Sequence, residues 1–562
     1  MRGGSRVFYL ASIAVIVAGL LVLGTSWAAP GTVLSNQKIS DLEGNFSAVI
    51  DNLDELGGAT AHLGDLDGAG PSVAAMAISA GLDDDGGGDR GAVYIVFLAA
   101  DGTVTSHQKI SDTVNFPGNP LDNLDEFGSA LAFLGDLDGE GPSAGALAVG
   151  CGFDDDGGAD RGAVYILFLS TNGTVLSWQK ISDIVNFPGT PLDNLDEFGG
   201  SVASLGDLDG PGVSSHAIAV GAGGDDDGGA DRGAIYILFL NSSGTVLSTQ
   251  KISDTVNFPG TPLDNLDDFG SAVANLRDLD GDGPAALALA AGASFDDDGG
   301  VDRGAVYILF LDSGGTVLSS QKISDTQGNF NEFFSDLDEF GGAVANVIDL
   351  DGPAGGVTAM AVGVGGDDDN GEDRGAVHIL FLNPDGTCNG SQKISDLYGN
   401  FPVPLANLDF FGSSVTCLGD LDGAGPSTIA IAVGVTGDDD GGADRGGAFI
   451  LFLDGVSVVG VSPLASPAAG SALGRATPNP FHPRTSIPFS LDRDADVRID
   501  IWDLGGRLVR QLVRGRTPAG EHRAVWDGRD DAGRALSNGT YFYRMSIDGR
   551  LAGGAGKALL LR

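Results

Sequence analysis

Short apolar runs separated by glycine- and aspartate-rich breaks recur along most of this chain. One unit shows the pattern. FGSAVANLRDLD, Phe269 to Asp280, mixes small, apolar and polar positions and reads as a strand. DGDG follows, and Asp-Gly pairs supply the positive φ of tight hairpins. ALALAAGA is a second strand and SFDDDGGVDR a loop. GAVYILFL is a third strand, apolar on both faces and so expected to be buried on both. DSGG makes another hairpin turn, and TVLSSQKIS, of mixed polarity, is an outer strand. The unit has no helical period.

The unit repeats every 71 residues. QKIS begins at Gln37, Gln108, Gln179, Gln250, Gln321 and Gln392, and the arginine of DRG falls at Arg90, Arg161, Arg232, Arg303, Arg374 and Arg445. Four antiparallel strands per copy predict an all-β, six-bladed β-propeller over residues 31–454, because radial stacking buries both faces of the middle strands. A linear β-solenoid is the alternative, but its coils repeat at about 20–30 residues. The sixth copy lacks an outer strand of its own. GTVLSNQKIS, Gly31 to Ser40, precedes the first inner strand and is expected to supply it, closing the ring and removing exposed edges. GVSVVGVS, Gly455 to Ser462, is the alternative.

The period ends after Leu453. Residues 455–476 form a Pro/Ala/Gly/Ser linker. Residues 477–562 carry six or so short strands, predicting an Ig-like β-sandwich with Trp502 and Trp526 as core aromatics. At the other end, MRGGSR, an apolar run and TSWAAP read as a signal peptide over residues 1–28, with an uncleaved membrane anchor as alternative. The expected location is secreted or on a bacterial cell surface, with no membrane span after cleavage.

Charge is uneven. Residues 31–454 hold 67 Asp and Glu against 13 Lys and Arg, whereas residues 455–562 hold 10 against 15; the whole chain carries −47. Such a body repels nucleic acid, which needs a basic surface, and favours cations, solubility and a monomeric state. Only Cys151, Cys388 and Cys417 occur, too few for a disulfide scaffold.

FGSAVANLRDLDGDGPAALALAAGA, Phe269 to Ala293, resembles the FG-GAP repeat, the blade motif of integrin α-chain propellers and of many bacterial surface proteins. The resemblance spans residues 31–454; integrin-type propellers have seven blades and this chain offers six. NPFHPRTSIPFSL, IWDLGGRLVRQL, GEHRAVWDGRDDAGRALSNGTYFYRM and KALLLR resemble the FlgD-like Ig domains of flagellar hook-capping proteins and the related C-terminal sorting domains of type IX secretion. That resemblance implies export or anchoring rather than chemistry.

The loop between the second and third strands shares a rim with the long crossover to the next copy. Carboxylates at short spacing suit calcium, so Asp154, Asp155 and Asp156, Asp225, Asp226 and Asp227, and Asp296, Asp297 and Asp298 are candidate ligands, with solvated acidic turns as the plain alternative. The FG-GAP resemblance implies a calcium loop elsewhere, at the first hairpin. There Asp278, Asp280 and Asp282 make the fourth copy the best candidate, although no copy has a carboxylate at the loop's ninth position. The recurring Arg and the QKIS Lys read as structural ion-pair partners. Tyr94, Tyr165, Tyr236 and Tyr307, replaced by His378 and Phe449, read as packing.

Six histidines share no repeat register and no metal motif, and no nucleophile motif occurs. The reading is therefore a non-enzymatic binding or adhesion protein, calcium-stabilised, with an extracellular protein or glycan ligand. The near-identity of copies two to four favours multivalent or structural use. A hydrolase or lyase on the same scaffold, or a surface-layer component, is the alternative.

Overall fold

The computed structural model describes residues 30–455, 472–473 and 484–560, less short loop stretches, chiefly 69–71, 211–213, 259–262, 282–285, 351–357, 504–506 and 531–533. The expected signal peptide and nearly all of the linker lie outside the described residues. The described residues are all-β, without a helix, and so contain no helix able to cross a membrane. They form seven four-stranded sheets and one three-stranded sheet. The chain divides into two units, residues 1–458 and 459–562.

Six of the four-stranded sheets belong to the first unit, one per repeat. In the second copy the strands are Leu131–Gly135, Gly145–Cys151, Ala163–Leu169 and Val175–Ser182, in that order across the sheet. The third strand, AVYILFL, is buried at every position. Its side chains alternate between two neighbours: Tyr165 and Leu167 join a cluster with Val93 and Ile95 of the first copy, while Val164 and Ile166 join one with Ile218 and Val220 of the third. An unbroken apolar run is what a strand sandwiched between two sheets requires, and each such side chain contributes about 1.5–3 kcal/mol by burial.

The sixth sheet consists of Phe411–Gly419, Thr428–Val435, Gly447–Asp454 and the N-terminal strand Val33–Ile39. Val33 pairs with Leu453 and Ile39 with Ala448, antiparallel. The expected donation of the first strand to the last copy is present. Apolar clusters then link each sheet to the next, and Met76 and Ile78 of the first copy pack with Ile450 and Phe452 of the sixth. The succession of sheets returns to its start.

The second unit has two sheets. One pairs Ala472–Leu473, Thr485–Leu491 and Gly520–Trp526; the other pairs Leu508–Thr517, Ala495–Asp503, Gly539–Ile547 and Arg550–Leu560. Ile487 and Trp526 from the first share a core with Ile499, Tyr543 and Leu560 from the second. Trp526 is fully buried as expected, whereas Trp502 is only half-buried.

Candidate functional site

The acidic loop of the second copy shows what each carboxylate does. Asp154 is buried; its Oδ1 accepts the N–H of Asp156 at 3.0 Å and its Oδ2 meets Lys180 Nζ at 2.6 Å. Asp156 Oδ2 meets the same ammonium at 2.7 Å and accepts Ser182 Oγ at 3.0 Å. Asp155 faces the other way and accepts the N–H of Asp160 at 3.0 Å, closing the turn. The first and third aspartates therefore grip the QKIS lysine, and the second caps the loop. Burial works against the charge on Lys180, yet the two carboxylates hold its pKa above the ordinary lysine value.

The arrangement recurs. Lys251 joins Asp225 and Asp227 at 2.6 and 2.8 Å, and Lys322 joins Asp296 and Asp298 at 2.6 and 2.7 Å. Asp226 and Asp297 take the capping role, accepting the N–H groups of Asp231 and Asp302. Lys109 grips Asp83 and Asp85, Lys393 grips Asp367 and Asp369, and Lys38 grips Asp438 and Asp440.

A second clamp ties loop to crossover. Arg161 Nη1 meets Asp183 Oδ2 at 2.6 Å, and its Nε donates to Asn194 Oδ1 at 3.0 Å. Arg90–Asp112, Arg232–Asp254, Arg303–Asp325, Arg374–Asp396 and Arg445–Asp41 repeat the pair. Loop and crossover do share a rim. Beneath it each copy buries a further aspartate from the crossover: Asp54, Asp125, Asp196, Asp267, Asp338 and Asp409. Asp125 Oδ2 accepts the N–H of Asp122 at 2.8 Å, and burial pushes its pKa up to about 7. Asp125, Cys151 and Asp154 lie within 4.8 Å of one another. Burial raises the Cys151 thiol pKa, its Sγ donates to the Asp125 carbonyl, and Lys180 engages Asp154. Thiolate is the metal-binding form, so this trio is a poor metal centre.

Calcium can be tested against these donors. In the DDD loops an ammonium stands between the two inward carboxylates and the third caps backbone, so a calcium ion does not fit. The first hairpin differs. In the second and third copies Asp138 and Asp209 are taken by Ser143 and Ser214, each Oγ–Oδ1 contact being 2.7 Å. In the fourth, Asp280 Oδ1 is buried without a partner among the described residues, and Asp278 precedes it. These two fit a hard cation in part; Asp282 lies outside the described residues.

One feature escaped the sequence reading. The inner strands of all six sheets line a single cavity of about 470 Å³. His62, Phe133, Ser204, Asn275, Asn346 and Cys417 line it, one from each sheet, at a spacing of 71 residues. The preceding position is Ala61, Ala132, Ala203, Ala274 and Ala345, then Thr416. Aligning the repeats and asking where near-copies diverge would have found this register. Ser204 Oγ lies 2.8 Å from His216 Nε2. Burial lowers the pKa of both His62 and His216.

Residues 482–549 match the FlgD Ig-like domain family. No curated protein matches the chain. Among solved structures, it is similar to PorZ, an essential bacterial surface component of the type-IX secretion system of Porphyromonas gingivalis, at 14% identity and TM-score 0.31, over 87% of this chain and 58% of that one. It is similar to FlgD from P. aeruginosa at 28% identity and TM-score 0.12, over 14% of this chain and 60% of that one. Dimeric latent PorU from Porphyromonas gingivalis aligns at 14% identity and TM-score 0.16, over 57% of this chain and 36% of that one. The chain spans less than two thirds of each of these three.

Proposed function

We propose that residues 31–454 form a closed six-bladed propeller of the FG-GAP kind that binds an extracellular glycan or protein, without catalysis and as a monomer. The FlgD-like domain serves export or surface attachment, and the protein is secreted or held at a bacterial cell surface. One observation carries the binding reading. The six inner strands line one cavity whose side chains differ from copy to copy, while the repeated acidic loops are committed to their own lysines and arginines. A single ligand needs a single constellation, and this cavity offers one, with a different side chain from almost every copy. Calcium has a place at the Asp278–Asp280 hairpin, as a stabilising ion.

The test is retention of the purified full chain on arrays of extracellular glycans and proteins, beside a Ser204→Trp variant that fills the cavity. Selective retention lost in the variant supports the reading. Retention untouched by the variant puts the ligand elsewhere, and no retention of any class removes a binding role.

The Ser204–His216 contact favours a second reading, a hydrolase whose serine is activated by a neighbouring imidazole. Labelling of Ser204 by a serine-directed phosphonate, lost in His216→Ala, would support it; an unlabelled Ser204 would remove it.

A further inference from the structure

Residues 31–454 contain 13 Lys and Arg. Six lysines and six arginines are accounted for by the two clamps. The thirteenth is Arg277. It is exposed, lines the central cavity, and forms no ion pair among the described residues. Its backbone is unusual as well. The first, second, third and sixth copies place Gly64, Gly135, Gly206 and Gly419 at this register, with φ between 65° and 71°. Arg277 holds φ 62° there, a conformation that disfavours a long side chain. A cation has been put where four of the other five copies use glycine and the fifth has Ile348, and it is held there at the cost of backbone strain.

The surroundings define what that cation would hold. Among the described residues no Asp or Glu lines the cavity, although the body around it has 67. The lining is neutral and hydrogen-bonding at His62, Ser204, Asn275 and Asn346, with one aromatic face at Phe133. A polyanion would be repelled by the net charge of the body, whereas a neutral ligand would leave Arg277 without a use. We infer that the central cavity binds a uronate-type sugar, a polyhydroxylated ring carrying one carboxylate, with Arg277 as the carboxylate's partner. The guanidinium fork matches a carboxylate in two parallel hydrogen bonds. The cavity falls within the range of about 300–1,000 Å³ common to small-ligand sites. Ring hydroxyls meet the amide and hydroxyl side chains, and Phe133 offers a face to the apolar side of the ring.

This inference rests on the closed-propeller reading, and its test separates the two. Calorimetric titration of the full chain with galacturonate is compared with galactose. Arg277→Gly installs the residue of four of the other five copies and relieves the positive φ, so it should fold at least as well. The expected result is uronate binding in the wild type, tenfold or more weaker in Arg277→Gly with an unchanged or higher melting temperature, and little response to galactose in either. Arg277→Lys should recover only part of the affinity. No uronate binding in the wild type, or binding unchanged in Arg277→Gly, overturns the site. Hydrogen exchange over Val33–Ile39 decides the rest: slow exchange there with no uronate binding removes the site and leaves the propeller, whereas fast exchange removes both.

Discussion

Lys38 Nζ lies 2.5 Å from Asp440 Oδ2, joining residues 402 positions apart. The same ammonium touches Asp438. In five copies this clamp links strands of one continuous repeat. In the sixth it is the seam, because the lysine comes from the first strand and the carboxylates from the last copy. Lys38→Met and Lys180→Met therefore remove the same contact with different consequences. Each leaves two carboxylates facing one another beside apolar surface, and breaking such a partly buried pair costs about 3–5 kcal/mol. Both variants should melt earlier. Only Lys38→Met should also speed hydrogen exchange and proteolysis within residues 31–40. Equal local exchange in the two variants would mean that the seam is held by strand pairing alone.

The lysine clamp also governs the response to metal. Adding a chelator to the full chain should leave the DDD loops intact, because Lys180, Lys251 and Lys322 already occupy their inward carboxylates. Elemental analysis should find fewer than six calcium ions per chain, and Asp280→Asn should remove the one bound at the fourth hairpin. Six or more ions, with a large fall in melting temperature on chelation, would show that calcium displaces the lysines.

Much of this was legible before any coordinates. The 71-residue spacing of QKIS and DRG gave the six sheets and the loan of the first strand, because a fixed period forces each copy into one shape. The ion-pair role of Lys180 and Arg161 was also readable, as one cation per copy among many acids has few other uses. The partner choice was not. Asp154, Asp155 and Asp156 look equivalent in sequence, and only the loop's fold turns the first and third inward while the second caps the Asp160 N–H. The cavity register was hidden for a different reason. His62 and Cys417 are 355 residues apart, and nothing local marks either as lining a common space.

Stability should peak on the acid side of neutrality. Burial raises the pKa of Asp125, Asp196, Asp267 and Asp338 to about 7, and of Asp54 and Asp409 to about 6, against 3.8 in the free residue. The native state thus holds these protons more tightly than the unfolded chain. Their contribution is complete below about pH 4 and is lost as pH rises through 6 to 7. The melting temperature should fall from pH 5 to pH 8. Asp196→Asn should flatten that limb and raise stability at pH 8, where the wild type must bury a charge. A melting temperature that rises from pH 5 to pH 8 would contradict the raised values.

His378 sets the opposing limb and offers the sharpest repair. It is 1% exposed, and neither ring nitrogen has a partner among the described residues. Burial lowers its pKa from 6.5 to about 3, so the native state excludes a proton that the unfolded chain accepts, and stability is lost as pH falls from 6.5 toward 3. In copies two to four a tyrosine stands here and its hydroxyl reaches the first loop aspartate, as Tyr236 Oη does to Asp225 at 3.1 Å. The fifth copy compensates for the smaller ring with a larger neighbour. Phe334 packs edge-on against His378 at 5.7 Å, at the register of Leu121, Leu192 and Leu263. His378→Tyr alone should therefore overpack, losing about 1–3 kcal/mol. His378→Tyr with Phe334→Leu restores the pair used by those copies, removes two unsatisfied buried nitrogens, and should gain about 1–3 kcal/mol at neutral pH. The double variant should also hold its melting temperature further into acid. If the single variant is the more stable of the two, the size exchange between Phe334 and His378 is not what shapes this copy.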